Sequence, residues 1–133
     1  MSQYNSYDVC TISNGNIIKV DNYALGNVLQ SESIFNYDNK NNPFINITGL
    51  HALIFLYRSQ TLGYNNYLNT QTTYTAPGLT VGPGTNNTYS NYNANNFPIS
   101  EVSTSYNSTV SYSGGVPQIV YTPVTTSITY YYE

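Results

Sequence analysis

"EVSTSYNSTVSYSGGVPQIVYTPVTTSITYYYE", Glu101–Glu133, is the stretch that decides the fold. Val102, Thr104, Tyr106, Ser108, Val110 and Tyr112 fall on one side of an extended chain. Ser103, Ser105, Asn107, Thr109 and Ser111 fall on the other, which is the period-two alternation of a strand. Gly114-Gly115 turns the chain and "VPQIVY" runs back, with Pro117 predicting a strand start or an edge. Pro123 is expected to break that run before a last segment, where Val124, Thr126, Ile128, Tyr130 and Tyr132 oppose Thr125, Ser127, Thr129 and Tyr131. The β-rich third therefore spans 101–132.

A chain end this rich in β-branched and aromatic residues is unusual, because termini tend to fray. With almost no charge to protect its edge, such a strand is liable to pair with other chains. The liability vanishes if the strand lies inside its own sheet or docks on another subunit. The sequence thus predicts that the C-terminal segment helps close the fold, with Ile128, Tyr130, Tyr131 and Tyr132 at a subunit contact.

Upstream, "DVCTISNGNIIKV" (Asp8–Val20) places two β-leaning runs around Asn14-Gly15, the dipeptide of a two-residue type I′ turn. A hairpin over 7–20 follows. "YALGNVLQSESIF" (Tyr23–Phe35) has room for one or two helical turns, although Gly26 weakens them. "NITGLHALIFLYRSQ" (Asn46–Gln60) fits a helix face through Leu50, Leu53, Ile54 and Tyr57, or a strand buried on both sides. Periodicity does not separate the two over 49–58; length and β-rich surroundings favour the strand. From 63 to 98 the chain is rich in Tyr, Asn, Thr and Gly, and reads as long loops around a short strand near "TQTTYTA" (Thr70–Ala76).

These pieces predict one all-β domain over 1–133, a small antiparallel β-sandwich, jelly-roll-like or immunoglobulin-like, with long Tyr/Asn-rich loops. Charged residues are 7% of the chain, against roughly 25% in ordinary soluble domains. Lys19, Lys40 and Arg58 are the only basic residues in a chain of net charge −3, too few to neutralise a phosphate backbone, so no nucleic-acid partner is expected. Membrane insertion is not expected either: the longest apolar run, Leu50–Tyr57, is well short of the ~20 residues a helix needs. "MSQYNSYDVC" has no basic stretch followed by an apolar one, which predicts no secretory signal.

No catalytic, cofactor or metal site is expected. His51 and Cys10 are the only residues of their kinds, so no His/Cys ligand set exists. His51 lies in the apolar run, where a core histidine is the plainer reading than a base; Cys10 reads as a buried, inert thiol. "NYDNKNN" (Asn36–Asn42) lacks the acidic positions of a calcium loop, and "GLTVGPGT" (Gly78–Thr85) lacks the Lys-Ser/Thr ending of a phosphate loop. Sequons at Asn46, Asn86 and Asn107 are candidate N-glycosylation positions, but Asn, Ser and Thr are so abundant that such triplets arise by chance.

Sixteen tyrosines and no tryptophan are a sharper signal. Tyrosine offers a large apolar face, a polar tip and little rotamer entropy, and a small core cannot hold so many. Solubility here comes from hydroxyls and amides, which keep their hydrogen-bonding state in acid where carboxylates do not. This Tyr/Asn/Thr/Ser-rich, Lys-poor composition and strand-like runs such as "TSITYYYE" resemble virion structural proteins of viruses infecting thermoacidophilic archaea. They also resemble the extracellular filament and surface-layer proteins of those hosts. The resemblance implies a non-enzymatic, acid-stable capsid, turret or fibre subunit located in the virion. Its partners would be copies of itself, other structural subunits and host surface glycans. The alternative is a carbohydrate-binding module or an extracellular filament or surface-layer subunit, with tyrosine faces stacking on sugar rings.

Overall fold

Two left-handed dipeptides set the registers at the two ends of the molecule. Asn14 (φ 49°) and Gly15 (φ 74°) join β1 (Tyr7–Ser13) to β2 (Asn16–Ala24). Gly114 (φ 60°) and Gly115 (φ 81°) join β6 (Pro98–Ser113) to β7 (Val116–Thr129). Positive φ at both central residues is what a type I′ turn requires, and its twist matches that of the flanking strands. Gly15 has a second reason to be glycine, because the Tyr64 ring occupies the space a Cβ would take.

The computed structural model describes residues 6–48, 63–75 and 82–132, with the backbone alone at 116–117. Between the two hairpins lie β3 (Val28–Asn41), β4 (Asn65–Tyr74) and β5 (Asn86–Tyr92). The seven strands form one antiparallel sheet in the order β1 to β7, each hydrogen-bonded to the next in sequence. The fold is all-β. Among the described residues it is a single meander rather than two facing sheets.

Three local expectations need correction. Tyr23–Phe35 holds no helical turn: Gly26 (φ 80°) and Asn27 (φ 61°) turn the chain straight from β2 into β3. The segment 63–98 carries two full strands, β4 and β5; polar side chains bond β3 to β4, as in Asn36–Asn69 and Ser33–Thr72, and β5 to β6, as in Ser90–Ser100. Pro123 does not break β7, which runs through it opposite Tyr106. β7 is the outermost strand, so a residue without an N–H can sit there with its vacant position turned outward. The strand-or-helix question over 49–58, and His51 with it, lie outside the described residues.

The core is small. Ile17, Phe35 and Tyr67 are its buried apolar members, with Cys10, Val20 and Tyr37 packed against them. Cys10 is half-buried rather than buried. The Tyr37 and Tyr67 rings meet edge-on at 6.0 Å, and the Tyr37 hydroxyl donates to the Ile17 carbonyl at 2.8 Å. Burial pushes the ionisation of both phenols upward.

Between β4 and β5 the backbone ladder has one rung, Asn69 opposite Asn86. Side chains close this seam. Asp38 on β3 accepts from the Asn66 backbone N–H (3.2 Å), the Asn66 side-chain amide (2.9 Å), the Lys40 N–H (2.9 Å) and the Tyr92 hydroxyl (3.1 Å). Strands β3, β4 and β5 thereby meet at one carboxylate. Asn87 donates to the Tyr67 carbonyl (3.1 Å), and Lys40 reaches Asn96 (3.1 Å) while lying over the Tyr92 ring.

At the other end the sheet narrows to a two-stranded arm. β5 pairs with β6 only as far as Thr104. Beyond it, nine residue pairs from Ser105–Val124 to Ser113–Val116 continue alone, a reach of about 30 Å. Residues paired across an antiparallel ladder share a face. One face of the arm thus carries Tyr106, Val110, Tyr112, Ile119 and Tyr121; the other carries Ser105, Asn107, Thr109, Ser111, Gln118 and Thr122, with Val120 and Val124. Val110, Tyr112 and Ile119 are 60%, 74% and 52% exposed.

Candidate functional site

Tyr89, Glu101 and Ile128 stand in one row across β5, β6 and β7, since Tyr89 pairs with Glu101 and Glu101 with Ile128. The turn after β3 brings Asn42, Pro43 and Phe44 over this row, and the chain leaving β7 adds Tyr130. Together they enclose a recess of about 220 Å³. The turn is held by the Asn42 side chain, which accepts from the Phe44 N–H at 2.9 Å. Tyr130 is held by its own N–H, which donates to the Ile99 carbonyl at 2.8 Å.

The recess has a polar floor and aromatic walls. Glu101 is only 8% exposed. The Tyr130 hydroxyl donates to its carboxylate, and Tyr89 stands opposite Glu101 on the neighbouring strand. Burial pushes both phenols to ionise well above the usual tyrosine range, and the neighbouring Glu101 charge pushes in the same direction. At neutral pH both phenols therefore keep their protons. Phe44 and Tyr130 meet nearly perpendicularly, with centroids 6.1 Å apart.

The residues singled out from the chain end are thus divided among three environments. Ile128 and Tyr130 line the recess. The Tyr132 hydroxyl donates to the Pro98 carbonyl at 2.5 Å and its ring packs on Phe97. Tyr131 projects away from the protein, 90% exposed. β7 ends at Thr129, and alternation carries the tyrosines in turn inward, outward and inward. Of the sequon residues, all exposed, Asn46 lies in the turn after β3, and Asn86 opens β5 and donates to the Gly84 carbonyl (3.2 Å). Asn107 sits on the polar face of the arm opposite Thr122.

Sequence reasoning passed over Glu101, Tyr89 and Phe44. One signal was present: Glu101 is a lone charge set inside a strand pattern, between Ile99 and Val102, in a region otherwise without charge. Phe44 had none, because its place depends on the turn geometry after β3. Among the described residues no three His, Cys, Asp or Glu side chains gather as a metal site. Comparison with known proteins gives no match to a family model, a curated protein or a solved structure.

Proposed function

We propose that this protein is a non-enzymatic structural subunit that assembles with copies of itself, and, on its compositional resemblance, that the assembly is a virion capsid, turret or fibre. The observation that carries the reading is the β6–β7 arm, an uncharged ribbon whose outer Val110, Tyr112 and Ile119 stand exposed on one face, while Gly82 of the same chain lies against Tyr121 nearer its base. A two-stranded hairpin alone is marginal in water.

Pro117 and Pro123 withhold N–H groups on β7 and so discourage strand addition along that edge of the arm. Stacking through the exposed Val110, Tyr112 and Ile119 face is the contact we favour, and the sandwich expected within one chain would then form between two. The second reading, a glycan-binding module, is favoured by the open rings of Tyr112 and Tyr131, 74% and 90% exposed.

Light scattering after size-exclusion chromatography, with electron microscopy, at pH 3 and pH 7 tests both. A symmetric oligomer at both pH values is expected. Replacing 105–124 by Asn-Gly between Thr104 and Thr125 should give a monomer that keeps its β circular dichroism. Should that variant not fold, V110T/I119T tests the same face. A parent protein that stays monomeric and binds glycans establishes the second reading; undiminished assembly in both variants removes the arm from the first.

A further inference from the structure

We propose that the recess over Glu101 binds an organic cation, the alkylammonium or guanidinium group that a lysine or arginine side chain presents. A carboxylate taken out of water is costly unless it is compensated by charge as well as by hydrogen bonds. Glu101 has a neutral donor, the hydroxyl of Tyr130, and a neutral neighbour, Tyr89, opposite it on β5. Among the described residues no basic side chain reaches it: Lys19 is held between Asp21 (3.0 Å) and Glu32 (2.8 Å), and Lys40 is engaged with Asn96 and the Tyr92 ring.

The remaining geometry suits a cation better than a neutral ligand. An ionised carboxylate offers about four lone-pair positions, so the Tyr130 hydroxyl leaves acceptor capacity unused. The Phe44 and Tyr130 rings, crossed at 82°, wall the approach to it, and aromatic faces attract ammonium and guanidinium groups. Pro43 and Ile128 add apolar surface suited to the methylenes behind such a head group. About 220 Å³ accommodates a head group and its first methylenes. The site stands on different residues from the arm and does not depend on assembly.

Titrating the whole chain with n-butylammonium and n-butylguanidinium, followed by amide chemical shifts, tests this. Saturable shifts are expected at Phe44, Tyr89, Glu101 and Tyr130. The neutral isostere n-butanol and D-glucose should leave those amides in place. E101Q should weaken binding about tenfold or more, the worth of a hydrogen bond to a charged group. F44A should weaken it severalfold with the carboxylate intact, and it decides the matter should E101Q not fold. Equal response to n-butanol, shifts with glucose instead, shifts that never saturate, or unchanged affinity in F44A would each overturn the proposal.

Discussion

Removing the Asp38 carboxylate should loosen the join of β3 to β4 at Asn66, where the backbone ladder is interrupted between Tyr37 and Asn41. In Asp38→Ala, Asn66 loses the acceptors of its backbone N–H and its side-chain amide at once, and Asn66 is 0% exposed. Each buried donor left without a partner costs about 1–3 kcal/mol, so the pair amounts to about 4 kcal/mol. The Lys40 N–H and the Tyr92 hydroxyl add little, because their surroundings are more open to water. Against a total stability of ~5–15 kcal/mol this is a large loss. With an m-value of about 2 kcal/mol per molar urea, it moves the unfolding midpoint down by about 2 M. Tyr92→Phe removes one of the four bonds and leaves the rest, so it should cost about 1 kcal/mol. Urea unfolding monitored by circular dichroism gives both numbers, and the Asp38→Ala/Asn66→Ala double variant should cost less than the sum of its parts. A cost for Asp38→Ala below about 1 kcal/mol, or one equal to that of Tyr92→Phe, would refute the view that this carboxylate holds three strands together.

Alkali should unfold the protein. Burial and the bond to Asp38 push Tyr92 up to about 12, and Tyr37, Tyr67, Tyr89, Tyr130 and Tyr132 are raised as well. A folded-state value above the unfolded value of about 10 means stabilisation that is complete below pH 10 and lost as pH rises through about 12. Tyrosinate absorbance should therefore appear partly as a cooperative step coincident with loss of β circular dichroism, and a smooth titration of an intact fold would contradict this. Gly15→Ala should cost about 3 kcal/mol and Gly26→Ala about 1 kcal/mol, since both force a side chain to positive φ but only Gly15 lies under the Tyr64 ring. Thermal denaturation checks the order, and equal costs would remove the close approach as the reason.

Much of the fold was legible because it is written in turns and alternation. Asn14-Gly15 and Gly114-Gly115 mark two hairpins in a way that no packing detail can override. Alternation from Val102 to Tyr112 fixes which side chains share a face, but it does not say whether either face is covered. That is why a sandwich was expected where one sheet is found. The strands of 63–98 were harder to read because asparagines, poor strand formers, interrupt their tyrosines and threonines. Their pairing rests on Asn-to-Asn and Ser-to-Thr bonds between positions such as 36 and 69, invisible until the strands are side by side. The recess shows the same limit. Ile128 and Tyr130 stood out by type and position, whereas Glu101 gains its meaning only from Tyr89 and Ile128 on neighbouring strands.

The period of two has a consequence for how such an arm can change over evolutionary time. Glu101 and Ile128 are on one side of the β6–β7 ribbon, whereas Val110, Tyr112 and Ile119 are on the other. Inserting or deleting two residues in each strand lengthens or shortens the projection by about 6.6 Å and keeps both assignments. A single-residue change in each strand would rotate the tip half a turn and put its oily side where its polar side had been. Reach is thus adjustable in even steps alone, which makes the length of this projection a discrete variable rather than a continuous one.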